Sequence, residues 1–143
     1  MKKYTLITTT IFLFFASQLV SMDRKPSTAN LKAFKSAVAN KLSSIKHRFL
    51  TGAAQFPIFN HHYIINNNLL GELIRDNAQK YGINRETARD ILATVIMDCI
   101  LQYAVAKAPK TENYQALQTI CYDIYYPTAA RTAHEVFFDY LPN

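Results

Sequence analysis

Glycine is scarce in this sequence, which has only Gly52, Gly71 and Gly82, far apart along the chain. Loops that hold phosphate groups through backbone amides need several glycines close together, so we expect no loop of that kind. The sequence also lacks tryptophan, and its two cysteines form no Cys-x-x-Cys zinc motif. His61 and His62 are adjacent and have no third ligand at metal spacing. We therefore expect no metal and no cofactor, and the composition favours binding over catalysis.

Long apolar runs are also missing. The run at Leu6–Phe15 has about ten residues, whereas a membrane-spanning helix needs about 20. Lys2 and Lys3 precede it, and a short apolar run after positive residues is typical of a secretory signal. The sequence predicts that residues 1–21 are a signal peptide, or a signal anchor if they stay uncleaved. The protein is then exported, either periplasmic or secreted, or it is anchored to a membrane.

The remaining residues, 22–143, suffice for one domain with a single core. Half of the chain is hydrophobic, which excludes the composition of a disordered protein. Apolar residues repeat at helical spacing and prolines separate the periodic segments, so the sequence predicts an all-α, single-domain bundle of four to five helices. The predicted parts are a basic amphipathic helix at about 28–49, a connector at 50–66 with a short extended piece at His62–Ile65, and a helical core at 67–143 with helices at about 67–80, 85–107, 112–125 and 129–141.

Positive charge is concentrated near the start of the predicted domain. Residues 22–50 include seven basic residues and one acidic residue, whereas residues 51–143 include seven basic and nine acidic residues. In the first predicted helix the basic residues border the apolar stripe, which suits contact with anionic lipid headgroups. The candidate contact residues for a membrane surface or a partner protein are Lys32, Phe34, Lys35, Lys41, Lys46 and Arg48. In the alternative interpretation the stripe packs into the core, and the lysines meet acidic residues of another helix.

Two further surfaces allow two interpretations each. An acidic strip, Glu86, Asp90, Thr94 and Asp98, follows one side of the helix predicted at 85–107. It is either a solvated face or a docking strip for the basic helix. The C-terminal third is rich in aromatic residues, which either pack in the core or contact a partner: Tyr122, Tyr125, Tyr126, Phe137, Phe138 and Tyr140.

The two cysteines lie on apolar stripes of helices that a short loop joins. Folding the chain about Lys110 brings Cys99 and Cys121 to the same level, because each lies eleven residues from it. In an oxidising compartment such a pair is expected to form a disulfide, which stabilises a loop of this size by about 3 kcal/mol. In the cytosol the same residues are expected to stay buried thiols.

Residues 78–92, AQKYGINRETARDIL, resemble a helix-turn-helix DNA-binding motif. The residues that carry the resemblance are Ala78, Gly82, Ile83, Asn84, Thr87 and Ile91 or Leu92. The resemblance implies that Arg85, Glu86 and Arg89, which open the second helix, face the base edges of DNA.

This segment departs from the pattern at two positions that normally hold bulky apolar residues, Asn77 and Ala88. A capped helix-glycine-helix turn is also common in all-α proteins, so a purely structural role is the alternative. Nucleic acid is a poor partner for an exported protein. The DNA interpretation therefore requires that residues 1–21 are not an export signal.

Overall fold

A computed structural model describes residues 26–109 and 113–139, and the predicted signal at 1–21 lies outside them. The protein is all-α, as the sequence predicts, with one two-stranded antiparallel sheet in the described part of the chain. In chain order the elements are α1 (Thr28–Ser44), α2 (Lys46–Phe49), β1 (Leu50–Thr51), β2 (Ile58–Phe59), α3 (His61–Ile65), α4 (Asn68–Lys80), α5 (Arg85–Lys107) and α6 (Tyr114–Phe138).

Helix α1 packs its apolar stripe into the core. The Ser27 hydroxyl caps the helix by accepting a hydrogen bond from the Asn30 backbone N–H at 3.1 Å. Phe34, Val38 and Leu42 lie one turn apart and are completely buried. The helix predicted at about 28–49 is interrupted at Ile45, whose φ and ψ of −118° and 11° are not helical, and α2 follows.

The connector folds back as a short hairpin and then a helical turn. Strand β1 pairs with β2 through Leu50 with Phe59 and Thr51 with Ile58. The prediction of an extended piece at His62–Ile65 is wrong, because His61–Ile65 form α3. Helical backbone in α3 places Ile64 in the core, where it is 1% exposed. The favourable burial of the Ile64 side chain outweighs the weak preference of so short a segment for any one backbone conformation.

The turn between α4 and α5 lies between the helices predicted at about 67–80 and 85–107. Gly82 adopts a φ of +68°, which only glycine reaches without strain. The Ile83 N–H donates to the Ala78 carbonyl at 2.8 Å and the Gly82 N–H donates to the Gln79 carbonyl at 3.1 Å. These two bonds define a Schellman motif, and the buried Ile83 supplies its hydrophobic contact. The Asn84 side chain then caps α5.

Helix α5 is central, with ten buried residues, and it packs against both α1 and α6. Helix α6 is continuous, so the two helices predicted at about 112–125 and 129–141 are one, and Pro127 lies inside it. A proline interrupts a helix by removing one N–H and crowding one carbonyl, a cost of about 3 kcal/mol. Buried residues on both sides of Pro127, including Tyr125 and Ala129, hold the two halves in line against the core. The Asn113 side chain caps α6. Thr111, which the sequence offers as the cap of a helix at about 112–125, lies outside the described residues.

The disulfide predicted between Cys99 and Cys121 is wrong, because both cysteines are free and buried. The Cys99 thiol faces α1, where the Ser43 side chain hydrogen-bonds it and the Lys46 ammonium lies nearby. In a helical hairpin, the number of residues from the loop sets how far along the helix a side chain lies. The direction in which the side chain points around the helix axis determines which helix it contacts. Burial raises the pKa of Cys99 to about 11 and raises that of Cys121. Both groups are therefore unreactive thiols at neutral pH.

Candidate functional site

The basic side chains of α1 and α2 form an exposed group that we name the cationic surface: Lys32, Lys35, Lys41, Lys46 and Arg48. Residues 28–49 contain no acidic side chain. In the described part of the chain, none of the five cations forms an ion pair with a carboxylate. Their charge is therefore directed to solvent and is not neutralised within the fold.

The sixth candidate contact residue, Phe34, is not accessible. It is 0% exposed and belongs to the core cluster with Val38 and Leu42. The apolar stripe of α1 therefore packs into the core of the protein, as the alternative interpretation proposed. No helix in residues 26–109 and 113–139 is both long and apolar enough to cross a bilayer.

The acidic strip of α5 does not meet the cationic surface through ion pairs among the described residues. Asp90 pairs instead with its neighbour Arg89, at 3.3 Å between Oδ1 and Nε, and its side chain is 73% exposed. The Thr94 hydroxyl donates to the Asp90 backbone carbonyl at 3.0 Å. Glu86 and Asp90 are exposed and thus correspond to the solvated-face interpretation, whereas Thr94 and Asp98 are half-buried. The contact between α1 and α5 is apolar.

The three residues that the helix-turn-helix resemblance singled out differ in their surroundings. Arg85 and Glu86 are exposed, and Arg89 is half-buried. The guanidinium carbons of Arg85 and Arg89 lie 5.7 and 5.3 Å from the centre of the Phe138 ring, at the end of α6. Cation–π contacts of this kind join the start of α5 to the end of α6. Two of the three residues therefore have a structural role at this end of the bundle.

A groove of about 380 Å³ lies between the first half of α5 and the second half of α6. Its lining residues are Arg89, Asp90, Ala93, Tyr126, Ala130, Arg131 and His134. Ala93 and Ala130, one on each helix, leave space between the two walls. Of the longer side chains around them, Asp90 is a hydrogen-bond acceptor and the other four carry donors, so the groove is polar and mainly basic.

Aromatic rings support both walls of this groove. Tyr126 stacks on Tyr122, with 5.8 Å between ring centres and 22° between planes. His134 stacks on Phe138 at 4.9 Å and 16°, on the ring that the two arginines contact. Arg89 and His134 are thus held by the same aromatic side chain, which restricts their conformational freedom before any ligand binds.

A second basic cluster lies where α3 packs against α6. The rings of His61 and His62 are 4.0 Å apart. Burial lowers the pKa of His61, the positive charges of His62 and Arg131 lower it further, and Glu135 opposes them. Within the described ranges, no group of three or more histidine, cysteine, aspartate or glutamate residues is arranged to hold a metal ion.

Comparisons with protein-family models, with curated proteins and with solved structures find no match to this chain. The function must therefore be inferred from the surfaces described above.

Sequence reasoning missed the groove, although a signal for it is present. Arg89 and Ala93 lie one turn apart on one helix, and Tyr126, Ala130 and His134 lie on successive turns of the next. An antiparallel hairpin brings two such faces together. The prediction of a helix break at Pro127 separated Tyr126 from Ala130 and His134, so this face was not recognised as continuous.

Proposed function

We propose that the protein is an exported binding module that attaches to an anionic membrane surface through its cationic surface. The observation that carries this proposal is the set of five exposed cations on α1 and α2. Neither helix contains an acidic residue, and none of the five cations forms an ion pair with a described residue. The signal-like residues 1–21 support export.

The mode of attachment follows from the burial of the α1 stripe. Because Phe34, Val38 and Leu42 are in the core, α1 has no apolar face left to insert between lipids. The attraction is then electrostatic, at about 1 kcal/mol for each lysine or arginine close to an anionic leaflet. Salt weakens such contacts, since the Debye length falls from about 10 Å at 0.1 M to about 3 Å at 1 M ionic strength.

Vesicle flotation with the full chain tests the proposal. Vesicles of phosphatidylcholine alone are compared with vesicles that also contain phosphatidylglycerol. The test variant replaces Lys32, Lys35 and Lys41 with glutamine. We expect it to bind the anionic vesicles about 100-fold more weakly, because three contacts of about 1 kcal/mol are lost. The parent protein and the test variant both keep residues 1–25, so the apolar N-terminal run contributes equally to vesicle binding by each.

The matched control replaces three exposed cations outside the cationic surface, Lys80, Arg85 and Lys107, with glutamine. Both triple variants have the same net charge, so an effect of overall charge would weaken both equally. Equal loss in the two variants, or equal binding to neutral and anionic vesicles, overturns the proposal. Deletion of residues 22–50 is not a suitable test, because it removes part of the core.

The helix-turn-helix alternative has less support. The turn itself resembles the motif, but Arg85 and Arg89 contact Phe138 and Arg89 also pairs with Asp90. Helix α5 is also largely buried along its length. Duplex DNA binding that Arg85→Gln abolishes, and that the Lys32, Lys35 and Lys41 variant retains, would favour this alternative over membrane attachment.

A further inference from the structure

The groove between α5 and α6 has the volume of a small-molecule site. At about 380 Å³ it falls within the range of ligand pockets, which hold about 300 to 1,000 Å³. Its walls carry two guanidinium groups, an imidazole and a phenol. The cationic surface is on other helices, so this groove is a feature separate from the proposed membrane contact.

The charge of the lining favours an anionic ligand. Arg89 and Arg131 contribute two positive charges and Asp90 one negative charge, and the His134 imidazole, whose Nε2 lies 3.9 Å from the Asp139 Oδ1, is left out of this count. Arg131 forms no ion pair in the described ranges, and the pair between Arg89 and Asp90 is exposed enough to be weak. An incoming oxyanion can therefore engage both guanidinium groups at little cost.

The arrangement of donors favours phosphate over carboxylate. Arg89 is a possible donor on the α5 wall, and Tyr126, Arg131 and His134 are possible donors on the α6 wall. A carboxylate has two oxygens on one edge, whereas the three terminal oxygens of a phosphate monoester point in different directions and can meet donors on both walls. The volume exceeds that of a phosphate ion, and Tyr126 offers an aromatic face to the remainder of the molecule.

We propose that the groove between α5 and α6 is a binding site for the phosphate monoester group of a small organic molecule or a lipid headgroup. Arg89 and Arg131 bind the phosphate oxygens. Contact with Phe138 orients Arg89, and the two alanines keep the groove open.

Nuclear magnetic resonance titration of the full chain with phenyl phosphate tests the site, with ionic strength held constant by sodium chloride. We expect saturable shifts of the backbone amides at residues 89–93 and 126–134. Arg131→Gln should weaken binding about tenfold, as expected for one charge-assisted contact. Arg131→Lys, which keeps the charge but loses the planar fork, should show an intermediate loss. Benzoate should bind more weakly than phenyl phosphate.

Lys35→Gln is the matched control, because it removes the same charge from an exposed position on α1. It should leave phenyl phosphate binding unchanged while it weakens attachment to phosphatidylglycerol vesicles, so the two proposals fail separately. Absence of saturable shifts in the groove, equal affinity for benzoate, or equal loss in Lys35→Gln and Arg131→Gln overturns the phosphate site.

Vesicles that contain phosphatidic acid distinguish the two sources of the phosphate group. Phosphatidic acid has a terminal phosphate monoester, whereas phosphatidylglycerol has only a diester. If Arg131→Gln weakens binding to phosphatidic acid vesicles and not to phosphatidylglycerol vesicles, the site takes a lipid headgroup. If it weakens binding of phenyl phosphate alone, the ligand is soluble. Either result supports the site.

Discussion

Removal of one buried hydroxyl should separate the connector from the helical core. The Tyr125 hydroxyl donates to the Pro57 carbonyl at 2.6 Å, between α6 and the loop that joins β1 to β2. Both residues are buried, and 68 positions separate them in sequence. This contact therefore anchors a loop that otherwise has little regular structure.

The expected magnitude follows from what Tyr125→Phe leaves behind. Phenylalanine fills the same space, so the substitution creates no large cavity. The Pro57 carbonyl, however, loses its donor within the protein, and a buried polar group without a partner costs about 1 to 3 kcal/mol. We expect a loss of about 2 kcal/mol in unfolding free energy, which corresponds to a Tm lower by roughly 6 to 12 °C for a domain of this size.

Urea denaturation monitored by circular dichroism measures this loss, with Tyr126→Phe as the control. Tyr126 is the adjacent residue, is 45% exposed and makes no hydrogen bond through its hydroxyl in the described structure, so its change should stay within about 0.5 kcal/mol. Hydrogen exchange at the Asn60 amide, which donates to the Phe49 carbonyl at 2.8 Å, reports on the connector itself. Equal stability of the two variants, without faster exchange at Asn60, would refute the reasoning.

The remaining predictions concern the turn, the core and the thiols. Gly82→Ala should lower the unfolding free energy by about 1 to 2 kcal/mol in urea titrations, because its φ is +68° and no atom within 4 Å adds a clash; an unchanged midpoint would contradict the assigned backbone. Phe34→Ala should lower the unfolding free energy by about 3 to 5 kcal/mol, whereas Lys35→Ala, at an exposed position, should lower it by less than about 0.5 kcal/mol. Similar losses in the two variants would mean that α1 does not pack on the core. Unfolding without reductant followed by alkylation should add two adducts to the mass, one each on Cys99 and Cys121, whereas a disulfide would give none. Because the pKa of Cys99 rises from 9.0 to about 11, the folded state keeps the thiol protonated, and stability present below pH 9 should fall by about 2 kcal/mol between pH 9 and 11. The Cys99→Ala variant should lose less unfolding free energy between pH 9 and 11. Parallel plots of stability against pH for the variant and the parent protein would contradict the raised pKa of Cys99.

Local chemistry made part of this fold predictable. Asn84 as a cap, Gly82 in a left-handed turn and Ile83 behind it each act within a few residues, so α4 ends and α5 begins where the sequence predicts. The apolar repeat of α1 likewise predicts which side is buried, with Phe34 at its centre. It does not predict what covers that side, because a membrane and a protein core are both apolar.

The errors arose where tertiary contacts outweighed local signals. Pro127 is a strong local helix breaker, yet buried residues before and after it keep α6 continuous. A disulfide between the two helices also requires the right rotation of each, which chain distance does not give; both cysteines are free, and the Cys99 thiol faces α1. The groove depends on both effects, since it requires an unbroken α6 in one particular rotation against α5.

Burial of the α1 stripe narrows what its cations can do. Had Phe34 been exposed, the helix could insert into a bilayer, and attachment would persist at high salt. With Phe34 in the core, only charges at the surface remain, so the proposed attachment would be reversible and sensitive to salt. Substitution of these exposed cations should then leave stability nearly unchanged, because none has an ion pair to lose among the described residues. Stability and the proposed attachment are therefore separable on this helix, because the apolar stripe accounts for the first and the cationic surface would account for the second.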